Sequence, residues 1–153
     1  MTLYKLWIIE KWMIFKTRST TGDWMVYHAA NTAAPETDFI KFNTTVATED
    51  LNTVFNDTAP TSSVFTLGSN GDVNTNTRTQ VAYCFAEVEG YSKFGSYNGN
   101  GNDNGPFIYT GFRPAWVLIK KTGSGTATQL AVRAGIQPAV PNRIFRKQEQ
   151  LGC

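Results

Sequence analysis

Most residue types that catalysis and metal binding depend on are scarce in this sequence. Charged side chains are 17% of its 153 residues, with 14 Lys and Arg against 12 Asp and Glu, where globular domains average about a quarter. A formal charge of +2 offers no steering field toward phosphates, and no Lys/Arg stripe accompanies the aromatics, so a nucleic-acid partner is not expected. His28 is the only histidine, and Cys84 and Cys153 are the only cysteines. That set is too small for a zinc centre or a disulfide framework. There is no Gly-x-Ser-x-Gly elbow for His28 to serve, and no loop closing on Gly-Lys-Ser/Thr to hold phosphate. No apolar run approaches the roughly 20 residues that span a bilayer, so no membrane insertion is expected. Within Met1–Phe15, Lys5, Glu10 and Lys11 break the apolar pattern and no small-residue cleavage site follows. A signal peptide is therefore not expected.

What the chain does contain is the vocabulary of β-structure. Hydrophobic residues are 41% and aromatics 13%, enough in a chain of this length to bury a core. Thr, Asn, Gly and Ser fill the polar positions and suit strand surfaces and turns. Apolar or alternating runs predict strands at Trp12–Lys16, Trp24–His28, Asp38–Asn43, Val64–Leu67, Gln80–Val88 and Phe107–Ile119. The first two, joined through Thr20–Gly22, read as a hairpin. Ala47–Leu51 is compatible with one helical turn, and Gly68–Thr79 is a polar loop with Asn70-Gly71 at its tip. Gln80–Val88 is predicted to be the central strand, with Cys84 buried in it as a small hydrophobe. The fold class is all-β and antiparallel.

Trp12-Met13-Ile14-Phe15-Lys16 is echoed by Trp116-Val117-Leu118-Ile119-Lys120 at an offset of 104 residues. A period near a hundred residues fits one β-sandwich per repeat rather than a solenoid. Two phrases are more distinctive still: VAYCFAEVEGYSKFGSY at Val81–Tyr97, and the Gly-Asn-Gly turn followed by GFRPAWVLIK within Gly99–Lys120. Both resemble a repeated domain of unknown function found in tail-fibre and other structural proteins of marine bacteriophages. The resemblance covers roughly residues 11–122. It implies an antiparallel β-sandwich, jelly-roll-like, of the concanavalin A/laminin G-like group.

On that reading, residues 1–10 are a divergent N-terminus and 11–96 a sandwich repeat missing its own first strand. Residues 97–122 are the opening strands of a second repeat or fold back to complete the first sandwich. Residues 123–153 form a divergent, partly disordered tail, in which Arg133, Arg143, Arg146 and Lys147 face the single acid Glu149.

Three constellations could carry chemistry. Glu87 and Glu89, at i and i+2, would share one face of a strand roughly 6–7 Å apart, near the spacing of glycosidase carboxylate pairs; a solvated strand end leading into Gly90 explains them as well. Asn98–Gly105, NGNGNDNG, offers Asn98, Asn100 and Asp103 oxygens to a hard cation such as calcium. It lacks a bidentate glutamate, and Asn and Gly are equally the residues of tight turns. Trp24, Tyr27, Tyr91, Phe94 and Tyr97 are candidate sugar-stacking aromatics, although aromatics in a small domain mostly serve the core. No cofactor or metal is expected.

The resemblance implies a non-enzymatic virion module, tail-fibre-like, assembled in the host cytoplasm. It would act in assembly with copies of itself or other virion proteins, or in recognition of a host-surface glycan. The alternatives are a glycan-cleaving depolymerase using Glu87 and Glu89, and a bacterial surface lectin-like domain.

Overall fold

The computed structural model describes residues 9–123 and the strand Ala131–Ala134. Its strands are β1 (Glu10–Thr17), β2 (Met25–His28), β3 (Asp38–Lys41), β4 (Glu49–Asp50), β5 (Gln80–Ala86), β6 (Trp116–Ile119) and β7 (Ala131–Ala134). A single turn of helix, α1 (Asn52–Phe55), interrupts them. Five strands form an antiparallel sheet in the order β4-β3-β2-β1-β5, and β6 pairs with β7 separately. The all-β expectation holds.

β1 lies inside the sheet, and its sequence shows why. Strand alternation sends Met13 and Phe15 to one face and Trp12 and Ile14 to the other, and all four are buried. A strand covered on both faces has no polar side to display, so it reads as an unbroken apolar run. Cross-strand neighbours keep the faces in step: Met13 opposes Tyr27, Ile14 opposes Val26 and Phe15 opposes Met25. On the first face Met13, Phe15, Met25, Tyr27 and Phe39 pack with Val54 and Phe55 of α1 and with Val73. On the second, Trp12, Ile14, Val26 and Ile40 are covered by Phe42, Phe94 and Leu118. Burying each of these large side chains contributes about 1.5–3 kcal/mol.

The first-face cover is held by backbone. α1 ends at Asn56, which takes a left-handed conformation and donates its N–H to Asn52 O. Gly68 and Asn70 then donate to Val54 O at 2.9 Å and Thr53 O at 2.8 Å. A Cβ at Gly68 would meet Thr53 O at 2.2 Å, so this approach requires glycine.

Several expectations are corrected. β5 is an edge strand rather than the central one, and Cys84 is exposed rather than buried. Apolar content identifies a strand but not its neighbours, and the still more apolar β1 takes the inner position. Val64–Leu67 is not a strand: the Thr61 hydroxyl accepts the Ser63 and Val64 amides, both at 3.2 Å, and turns the chain there. The helical turn falls at Asn52–Phe55, while Glu49–Asp50 within the expected turn forms β4. Of Phe107–Ile119 only Trp116–Ile119 is a strand.

β6 does not extend the five-stranded sheet at its edge; it comes back over the second face. Leu118 packs on the Trp12–Ile40 cluster, Trp116 lies 6.4 Å from Trp12, and Lys120 Nζ donates to Thr44 O at 2.6 Å. Residues 123–153, read as a tail, contribute β7. The β6–β7 pair resembles the β1–β2 pair: the Trp-x-x-x-Lys phrase lies within β1 and runs along β6 to the residue after it, and each second strand returns antiparallel. Trp12 opposes His28 and Trp116 opposes Ala134. The connections differ by two residues, 16–24 against 120–130.

Candidate functional site

Aromatic side chains gather where β1, β5 and β6 come together. Trp12 is the hub. Its ring stacks on Phe85 at 4.7 Å, and Phe42 and Phe94 both stand at 5.9 Å. β5 sets two of the group by register, because Tyr83 and Phe85 oppose Ile14 and Trp12 and so share their face. β6 supplies Trp116. Trp12 is buried, whereas Tyr83, Phe85 and Trp116 are 47%, 40% and 49% exposed. The result is a half-exposed aromatic surface on a buried aromatic base. Two rings at alternate positions of one strand, and a tryptophan at the echo of Trp12, were its signals in the sequence. The reading of β5 as a central strand hid them.

The candidate sugar-stacking residues are dispersed. Tyr27 is in the core on the opposite face, edge-on to Phe55 at 5.6 Å. Phe94 is half-buried in the Trp12 group and also meets the His28 ring edge-on at 6.3 Å. Trp24 precedes β2 and donates its backbone N–H to Asn43 Oδ1 at 2.9 Å. Tyr91 and Tyr97 lie on the exposed segment after β5.

The carboxylates do not sit on a strand. β5 ends at Ala86, and Val88 bridges Ser92 in a tight turn with Gly90 at φ +73°. Glu87 binds Lys93 Nζ at 2.5 Å, and the Phe94 N–H also donates to it at 3.5 Å. The Lys93 bond, then the Phe94 N–H, holds the Glu87 carboxyl below its ordinary value despite some desolvation. A carboxylate held ionised in this way suits an ion pair rather than a general acid. Glu89 is on the turn itself and exposed.

In Asn98–Gly105 the side-chain oxygens are turned onto the loop. Asn100 Oδ1 accepts the Asn102 N–H at 3.1 Å, Asn102 Oδ1 accepts the Asn104 N–H at 3.0 Å, and Asn100 Nδ2 donates to Asn104 O at 2.9 Å. These are successive side-chain-to-backbone turns; Asn98 and Asp103 are exposed beside them. Among the described residues no three His, Cys, Asp or Glu side chains are grouped as metal ligands. His28 lies beside the aromatic group, and its Nδ1 accepts the Ala30 N–H at 3.1 Å. Burial pushes its pKa below the ordinary value, as expected for a ring whose neutral form is the one that accepts.

Residues 5–132 match a family described as a domain of unknown function, DUF7483. The match begins ahead of β1 and ends within β7. No curated protein and no solved structure matches the chain.

Proposed function

The chain belongs to the DUF7483 family, and from that premise we propose that it is a non-enzymatic structural module of a phage virion, tail-fibre-like, whose residues 80–119 are covered by neighbouring protein in the assembled particle. One observation carries this reading. Residues 80–119 hold nine aromatic side chains and none of them is buried. Tyr91, Phe107 and Tyr109 are 81%, 76% and 78% exposed. Single exposed apolar residues are ordinary, but a continuous segment of them marks a surface made for a partner. The phage setting is supported by the sequence resemblance, whose two phrases lie in this same segment. The depolymerase reading finds no support in the site, because Glu87 is engaged by Lys93 and Glu89 stands on a turn.

Particles produced from the genome that encodes the chain provide the test. Mass spectrometry should find the chain in purified particles, and hydroxyl-radical footprinting should label Tyr91, Phe107 and Tyr109 strongly in the lone protein and weakly in the particle. Absence from particles, or equal labelling in both, would overturn the proposal.

A second reading, recognition of a host-surface glycan, is favoured by the half-exposed Tyr83, Phe85 and Trp116 around Trp12, since aromatic faces pack on the C–H faces of sugars. Titration of tryptophan fluorescence with host polysaccharide should then give a saturable change that Trp116→Ala abolishes. No change in the native chain would remove this reading. A bacterial surface lectin would share the same surface, and neighbouring genes for virion proteins would separate the two.

A further inference from the structure

Among the described residues no strand pairs with the outer edge of β5, and neighbouring backbone bonds set its hydrogen-bonding phase. The Ala29 N–H donates to Lys11 O, and the Arg18 N–H donates to Thr79 O, each at 2.8 Å. With the registers of β1 on its two neighbours, these bonds fix the alternation of an antiparallel ladder. Odd-numbered residues of β1 turn their backbone groups to β2, and even-numbered residues turn theirs to β5. On β5 the residues facing β1 are therefore Val81, Tyr83 and Phe85. Gln80, Ala82 and Cys84 direct their N–H and C=O groups away from the sheet; the alternation stops at Phe85, because the register shifts between Glu10 and Trp12 where Ala86 pairs. The Ala86 carbonyl accepts the Ser92 hydroxyl at 2.9 Å, and no strand of the described residues pairs with the rest. The strand is seven residues, QVAYCFA, without a charge or a proline. Between Gln80 and Phe85 it thus lacks the charged residue or proline that keeps many exposed edges apart.

We infer that this edge pairs with the same edge of a second copy, β5 against β5 in antiparallel register about Tyr83. About this centre the outward groups of Ala82 and Cys84 are self-complementary. Ala82 then bonds to Cys84 of the second copy, and the ladder ends toward Ala86, whose carbonyl is held by Ser92. The side chains agree with the same register. Tyr83 meets its own copy across the two-fold axis, and Phe85 meets Val81, so the half-exposed aromatic face of one sheet runs into that of the other. On the reverse face Ala82 and Cys84 are small and exposed, which leaves room for the approach. Two five-stranded sheets become one continuous sheet, and the contact is closed rather than polymerising because both copies offer the same edge.

This inference rests on the assembly reading and specifies one contact within it. Sedimentation equilibrium of the full chain should show monomer and dimer, and nothing larger, at sub-millimolar concentration. Ala82→Lys puts a charge on the edge and should weaken the dimer by about tenfold or more, with the circular dichroism spectrum unchanged. Should that variant misfold, a crosslink reads the register without it. Tyr83→Cys, with Cys84→Ala and Cys153→Ala, places two thiols across a non-hydrogen-bonded pair, within disulfide reach. Mild oxidation should convert it to a covalent dimer far faster than Val64→Cys in the same background. A chain that stays monomeric, that forms trimers, or that crosslinks no faster at Tyr83→Cys than at Val64→Cys overturns the inference. If a monomeric chain is nonetheless found in particles with Tyr109 protected, the assembly reading stands and this contact falls.

Discussion

Residues 10–79 and residues 80–119 use similar apolar residues for opposite ends. In the first segment Trp12, Met13, Ile14, Phe15, Met25, Val26, Tyr27, Phe39, Ile40, Val54, Phe55 and Val73 are all buried. In the second, a strand as apolar as VAYCF lies along an edge and no residue is fully buried. Composition does not separate the two. What separates them is the number of covered faces. β1 has β2 and β5 beside it, α1 below and Phe94 and Leu118 above, whereas among the described residues β5 has a strand neighbour on one side only. Among the described residues nothing covers the outer side of β5, and the proposed contacts would cover it.

Variants can break or sharpen this contrast, and the largest effects belong to the first segment. Gly68→Ala drives a methyl into the backbone of Thr53. Phe55→Ala empties the junction of Phe55 with Phe15 and Tyr27. Each should cost about 3–5 kcal/mol, read as a fall in the urea midpoint at unchanged slope. Trp12 touches both segments, so Trp12→Ala should cost slightly less, about 3 kcal/mol, and should also release Phe85, Phe94 and Trp116 to solvent. Leu118 only caps the second face, and Leu118→Ala should cost about 1–2 kcal/mol because the half-buried site can relax. At the far end Tyr109→Ser should move the stability of the lone chain by less than about 0.5 kcal/mol, while weakening whatever association that surface serves. An effect of Tyr109→Ser as large as that of Phe55→Ala would erase the contrast.

A pH titration adds a smaller test at the boundary. Burial lowers the pKa of His28 in the folded chain, so the unfolded chain takes up the proton first as pH falls. Stability is therefore full above the ordinary histidine value of 6.5 and declines as pH drops below it, until the folded-state pKa is passed. His28→Gln should remove that component of the decline, measured as the urea midpoint against pH.

Much of the first segment is legible in the sequence. Trp12–Lys16 and Trp24–His28 read as a hairpin because unbroken apolar runs joined by polar residues have few other solutions, and they are β1 and β2. Position in the sheet was not legible. Gln80–Val88 has a strand's composition, and nothing in it says that β1 is its one strand neighbour among the described residues. The carboxylate pair depended on β5 continuing through Glu89, and the turn closed by Ser92 on Val88 ended it at Ala86. Val64–Leu67 was read by apolar content, but Thr61, three residues earlier, determines its shape. The Trp12 group was half legible: the echo named Trp12 and Trp116 as counterparts, while their meeting across the second face depends on tertiary packing alone.

Residue-resolved amide hydrogen exchange on the full chain, followed from dilute to concentrated solution, tests the division most directly. Met13, Phe15 and Val26 should be protected at every concentration, and Tyr83 should be protected through its bond to β1. Ala82 and Cys84 should exchange rapidly in dilute solution and slow as concentration rises. Protection of Ala82 and Cys84 in dilute solution, or rapid exchange at all concentrations, would contradict an edge that is open in the lone chain and closed by a second copy.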